Sequence, residues 1–174
     1  TGGTATGGAV DCEADEFGCV EIAAGTPIQL GSLNSISGDT AALGTDVNNG
    51  ITLAIDYLDG ALDQSPGQLL GHDVNLVQED DLCSPEGGQS GGTALAANPD
   101  IVAVMGTTCS GAALGVADQI LGDKGILLVS ASNTNPGLTS EEAHQPFYFR
   151  TAHNDKLQGA IVAEYLSNQA GLPP

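Results

Sequence analysis

Two hydroxyl-rich stretches hold the residues of this chain best suited to ligand chemistry. The first, Gly106-Thr107-Thr108-Cys109-Ser110-Gly111, follows an apolar run and precedes a helical pattern, which makes Ser110 the natural N-cap. Amide hydrogens exposed at a helix start, with the positive end of the dipole, attract a carboxylate. A serine there can equally do no more than cap its own helix. The second stretch, Ser130-Ala131-Ser132-Asn133-Thr134-Asn135-Pro136, offers hydroxyls, amides and carbonyls after the next apolar run. A carbonyl turned into a cleft accepts from an ammonium group, although the same composition also suits an ordinary turn. Two such loops at successive strand ends favour a polar, uncharged ligand site.

Other chemistries find less support. A cysteine hydrolase needs a thiolate beside a histidine, and His72, His144 and His153 lie in a loop before a strand, an acidic loop and a late connecting segment. Glu79, Asp80 and Asp81 suit acid–base or metal work, but a solvated strand end accounts for them as well. Neither GxxxxGK[ST] nor a GxGxxG after a strand occurs, so phosphate cradling has no basis. The chain reads as a non-enzyme, without a cofactor or a metal.

The four cysteines fall into two pairs, Cys12 with Cys19 and Cys83 with Cys109, each in or beside a loop and without CxxC spacing. Two disulfides and an oxidising compartment follow, with buried free thiols as the alternative.

The elements that must position the two loops are read from periodicity. Apolar runs predict strands at Ile28–Leu33, Val74–Val77, Ile101–Met105, Ile126–Val129 and Phe147–Arg150. Leu43, Val47, Ile51, Ala54, Ile55 and Leu58 fall on one helical face between Ala41 and Leu58. Further helices are expected at Gln89–Ala97, weakened by Gly91 and Gly92 at about 1 kcal/mol each, at Ala112–Leu121 and at about Asp155–Ser167. Strands alternating with helices give a three-layer, doubly wound parallel α/β sheet with right-handed crossovers. Such sheets bind ligands beyond the carboxyl ends of their strands, which selects Asn34–Thr40, Thr107–Gly111 and Ser130–Pro136. Residues 1–26 read as a flexible Gly/Thr-rich leader with a small disulfide loop, residues 27–150 as the ligand-binding domain.

Charge narrows the partners. Of 174 residues 22 are Asp or Glu and three are Lys or Arg (Lys124, Arg150 and Lys156), a formal net charge of −19. Nucleic acid and anionic membranes both need basic contacts that three cations do not supply. A zwitterion escapes the repulsion that such a field exerts on a multiply anionic ligand. The acidity also fits simple solubility or adaptation to salt or low pH.

The strings IQLGSLNSISGDTAALGTDVNNGITLAIDYLD, EDDLCSPEGG, GTTCSG, SASNTNPGLT and YFRTAHNDKLQGAIVAEYL occur in that order. Together they resemble the leucine/isoleucine/valine-type binding proteins of ABC transporters, in the type I periplasmic-binding fold, over about Pro27 to Ser167. The resemblance implies a flavodoxin-like first lobe, with 151–174 as a hinge crossing and the first helix of a second lobe that this sequence does not include. It implies an extracytoplasmic receptor, monomeric when whole and of a kind that a lipid can anchor to the membrane, that hands branched-chain or related amino acids to a transporter permease. A sensor ectodomain or amide-responsive regulator of the same fold is the alternative. Ser110 would contact the ligand carboxylate, and Ser132 and Thr134 would hold the ammonium and carboxylate groups. Asn133, between those two, and Cys109, beside Ser110, are further candidates. Cys83 and Cys109 match the family's lobe-one disulfide, and Leu43 stands where some members carry an aromatic residue over the ligand side chain.

Overall fold

A computed structural model describes residues 13–14 and 19–168. Most of the leader, with Cys12, lies outside the described residues; Cys19 is disulfide-bonded. Six strands form one sheet: β1 (Ile28–Asn34), β2 (Gln68–Leu69), β3 (His72–Asp80), β4 (Ile101–Gly106), β5 (Leu127–Ser130) and β6 (Tyr148–Arg150), in the order β2-β3-β1-β4-β5-β6. Strands β3, β1, β4, β5 and β6 are parallel. The two-residue β2 is antiparallel to β3 and forms one edge of the sheet. From β1 the chain steps outward to β3, then returns past β1 to β4. The switch point therefore lies between β1 and β4, where the loops leaving the two strands diverge and open a crevice.

The helices are α1 (Ala41–Asp56), α2 (Pro85–Ala96), α3 (Ser110–Val116) and α4 (Asp155–Asn168). Side chains of a strand alternate between faces, and β1 separates the layers accordingly. Gly31 and Leu33 face α2, where a Cβ on Gly31 would stand 3.2 Å from Leu95 and one on Gly91 would stand 2.5 Å from Leu33. Ser32 and Asn34 face α1, where both side chains bond to Asn48 Oδ1. Helices thus cover both faces of the sheet, the three-layer arrangement expected. The apolar core sits on the α2/α3 side, built from Leu33, Leu95, Val104, Val116, Leu128 and Tyr148 among others. Each fully buried aliphatic side chain there stabilises by about 1.5–3 kcal/mol.

The α1 side is different. The expected apolar face is only partly buried: Leu43 is 62% and Leu58 40% exposed, while Gly44, Asn48 and Asp56 are the buried positions. Because β1 presents Ser32 and Asn34 to α1, an asparagine satisfies that contact, and a leucine would remove the acceptor that both side chains share.

α2 begins four residues earlier than expected. Ser84 caps it, accepting the Gly87 N–H at 3.0 Å, and Pro85 follows in the first turn. Its glycines permit close packing: a Cβ at Gly88 would stand 2.4 Å from the Ala112 carbonyl oxygen, and one at Gly92 would stand 2.0 Å from the Val116 side chain. At the other end Lys124 Nζ donates to the Ala96 carbonyl at 3.0 Å, a cation at the negative helix end. α3 is shorter than the expected Ala112–Leu121, giving way to a π turn at Ala117–Leu121. α4 has no buried residue, and Leu157, Ile161 and Tyr165 on it are each more than half exposed. Among the described residues no helix is long and apolar enough to cross a membrane.

Candidate ligand-binding site

The loop after β4 and the loop after β5 meet at the carboxyl edge of the sheet and are laced together. Ser130 Oγ donates to the Thr107 carbonyl at 2.8 Å, and Ser132 Oγ to the Thr108 carbonyl at 2.8 Å. Ser110 Oγ accepts the N–H groups of Thr134 at 3.2 Å and Asn135 at 3.3 Å. Ser110, Ser132, Asn133 and Thr134 are therefore neighbours, with Cys109 beside them.

Their roles differ from the sequence reading in three ways. Cys109, not Ser110, is the N-cap of α3; Ser110 is the first helical residue, and its hydroxyl ties down the neighbouring loop. Asn133 is fully buried: its Nδ2 donates to the Thr107 carbonyl at 2.9 Å, and its Oδ1 accepts from Tyr148 Oη at 3.0 Å and Thr107 Oγ1 at 3.2 Å. Its side chain is a strut of the site, occupied within the protein. Most amides of the two loops also have internal partners. Those of Thr108 and Cys109 donate to Asp81 Oδ2 at 2.7 and 3.4 Å, and those of Ser132 and Asn133 to Ser130 Oγ. A site walled by free backbone amides is thus confined to a few positions.

Those positions are informative. The amides of Ser110 and Gly111, at the start of α3, donate to no group among the described residues, as expected of a first helical turn. The Thr134 hydroxyl and the Ser132 carbonyl likewise have no partner among them. Ser132 is exposed and Ser110 and Thr134 half-buried. One rim thus offers N–H and O–H donors for a carboxylate and a carbonyl acceptor for an ammonium group, about what a zwitterionic head group requires. The nearby Gly106 permits this geometry, since with φ +153° it passes so close to β1 that a Cβ would meet the Leu33 carbonyl oxygen at 2.1 Å.

The acidic run splits. Asp81, read from sequence as part of a solvated strand end, is fully buried and also accepts the Cys83 amide at 2.8 Å. Its partners explain the burial: three N–H groups satisfy a carboxylate that water does not reach. Asp80 accepts the N–H groups of Ile36 and Leu82. Burial acts to raise its pKa, but bonds from the Ser37 side chain and from the amides of Leu82 and Ile36 outweigh it and hold the carboxyl below its ordinary value. Cys83 and Cys109 form a disulfide with a Cα–Cα separation of 5.0 Å, which fastens the start of α2 to the residue preceding Ser110 and leaves no thiolate at the site. His144 and His153 are exposed, and His72 Nδ1 lies 2.9 Å from the Thr26 carbonyl oxygen.

A doubly wound sheet with a polar rim beyond the carboxyl ends of β4 and β5 is the arrangement of a ligand-binding α/β lobe. The periplasmic binding protein family matches residues 27–172, and the chain belongs to that family. It is 31% identical over 139 residues to the Leu/Ile/Val-binding protein BraC3 of Rhizobium johnstonii, covering 80% of this chain and 35% of that protein. It is 30% identical over 149 residues, 83% of this chain and 35% of the other, to the chemotactic signal transduction system substrate-binding protein BasB of Halobacterium salinarum. Among solved structures it resembles the branched-chain amino acid transporter substrate-binding protein LivJ of Streptococcus pneumoniae, crystallised with isoleucine. There the TM-score is 0.73 and the identity 29%, over 83% of this chain and 39% of that one. The chain spans little more than a third of the length of these relatives.

Proposed function

We propose that this chain is the first lobe of an extracytoplasmic receptor that captures a branched-chain or related α-amino acid. The observation that carries the reading is the convergence of Ser110 and Thr134, which brings the Ser110 and Gly111 amides, without partners among the described residues, together with the Thr134 hydroxyl and the Ser132 carbonyl at one rim. The carboxylate takes the donors of Ser110, Gly111 and Thr134; the ammonium takes the Ser132 carbonyl. Leu43, 62% exposed in the first turn of α1, fits one wall for an apolar ligand side chain. The Cys83–Cys109 bridge supports an oxidising compartment.

In this reading residues 151–174 cross a hinge into a second lobe. The lack of any buried residue in α4 supports that assignment, since its apolar side chains find no cover in this lobe. Lobe two closes over the captured head group, and the closed form docks on an ABC-transporter permease. Capture by lobe one alone is weak, because half of the contacts and most of the desolvation are missing. The similarity to BasB favours a second reading, in which the same receptor reports the ligand to a signalling partner.

Calorimetry of the full-length protein against L-leucine, L-isoleucine, L-valine, sugars and nucleosides tests the ligand class. Binding confined to sugars or nucleosides overturns it. Co-purification with permease subunits as against a signalling receptor separates the two readings.

A further inference from the structure

Resting on that reading, we infer that Arg150 is a positioning residue of the head-group site, acting together with the backbone amide of Asp155. In a planar trans peptide unit the C=O of one residue and the N–H of the next point in opposite directions. Arg150 Nη1 donates to the Asn133 carbonyl at 3.2 Å, and the Asp155 N–H donates to the Thr134 carbonyl at 2.9 Å. With both carbonyls drawn toward the β6–α4 connection, the N–H groups of Thr134 and Asn135 are turned the other way. Both end on Ser110 Oγ. Arg150 Nη1 also holds the Asn135 carbonyl at 2.8 Å, so one guanidinium nitrogen spans the loop at two points. The chain has a single arginine, half-buried behind this loop, where its other terminal nitrogen donates to Thr139 Oγ1.

The arrangement turns the Thr134 and Asn135 N–H groups onto Ser110 by holding the opposite carbonyls from behind, and so fixes the loop that carries the Ser132 carbonyl and the Thr134 hydroxyl against the start of α3. The pulling groups sit at the end of β6 and the start of α4, on either side of the connection between them, so movement there is transmitted to the loop through three hydrogen bonds. A lysine cannot reproduce the planar fork.

The test uses three variants of the full-length protein. R150Q removes the charge and three of the five N–H donors, and R150K keeps the charge without the fork. D155P deletes the N–H, together with the carboxylate that D155N also replaces, at the first position of α4, where proline is tolerated. Amide hydrogen exchange across residues 131–138 is followed with no ligand present, and L-leucine binding is measured by calorimetry, with D155N, which retains the N–H, as control. Faster exchange at Thr134 and Asn135 in R150Q, and at Asn135 in D155P, is expected with the rest of the lobe unchanged. L-Leucine affinity should fall about tenfold or more in R150Q, recover partly in R150K and match wild type in D155N. Unaltered exchange in both R150Q and D155P overturns the inference whether or not L-leucine binds. Failure of the wild-type protein to bind L-leucine counts against the functional reading alone, because the exchange measurement needs no ligand.

Discussion

Asp81 Oδ2 accepts the backbone N–H of Thr108 at 2.7 Å, joining the loop after β3 to the loop after β4 across the end of β1. The same carboxylate accepts the amides of Cys83 and Cys109, so one buried side chain sets the height of the disulfide and of the first turn of α3. Replacing it by alanine strands these donors away from water. D81A should lose about 2–4 kcal/mol of stability in urea denaturation, against less than about 0.5 kcal/mol for E141A, where the side chain is exposed. Equal stabilities for the two variants would refute a structural role for Asp81.

The disulfide closes a loop with a sequence separation of 26. On loop-entropy grounds it contributes about 3–4 kcal/mol. Denaturation with and without a reductant, compared with a C83S/C109S variant, reads this directly. Both should be destabilised, the reduced protein at least as much because its Cys19 disulfide opens too, and L-leucine binding by the full-length protein should weaken in both, because Cys109 precedes Ser110. Stability indifferent to reductant would contradict this account.

The strands were legible because β1, β4 and β5 are apolar runs bounded by turn residues, and the alternation with helices dictated the parallel sheet. The meeting of the loops around Ser110 and Thr134 followed from the same topology, since successive parallel strands end on one edge. Other features were hidden for identifiable reasons. Apolar periodicity gives no weight to Asn48, so the seam that α1 buries against Ser32 and Asn34 was read as a leucine face. Gly91 and Gly92 signalled a weak helix, although close packing on β1 and α3 is what requires them. Ser84-Pro85-Glu86 did carry a helix-start signal that the glycines masked. Nothing in the local sequence marks Asp81 as buried, or Arg150 as the partner of the Asn133 and Asn135 carbonyls; both depend on contacts between distant segments.

Tyr148 offers a pH test. It is fully buried, and its hydroxyl donates to Asn133 Oδ1. Burial pushes its pKa up to about 12, with the Arg150 charge and a bond with Ser130 opposing. A folded-state pKa above the unfolded value of about 10 means that stability is fully present below pH 10 and is lost as pH climbs toward 12. Urea midpoints measured at pH 7 and pH 11.5 should differ clearly in the wild type and less in Y148F, which cannot ionise. At pH 7 Y148F should be about 1 kcal/mol less stable through loss of the bond to Asn133. An equal alkaline loss in both proteins would assign the titration elsewhere.

Salt is the remaining lever. With 22 carboxylates against three basic side chains, most acids have no cation to pair with, whatever the geometry. Like charges spread over a small lobe repel, and folding concentrates them. The screening length falls from about 10 Å at 0.1 M to about 3 Å at 1 M ionic strength, so added NaCl relieves the native state more than the expanded unfolded chain. Between those concentrations stability should rise by on the order of 1–3 kcal/mol, read as an upward shift of the urea midpoint at pH 7. Repeating the titration at pH 3.5, where many carboxylates are protonated, should shrink the effect. A midpoint that is flat with salt at pH 7, or that rises equally at both pH values, would show that the acidic surface is not what salt acts upon.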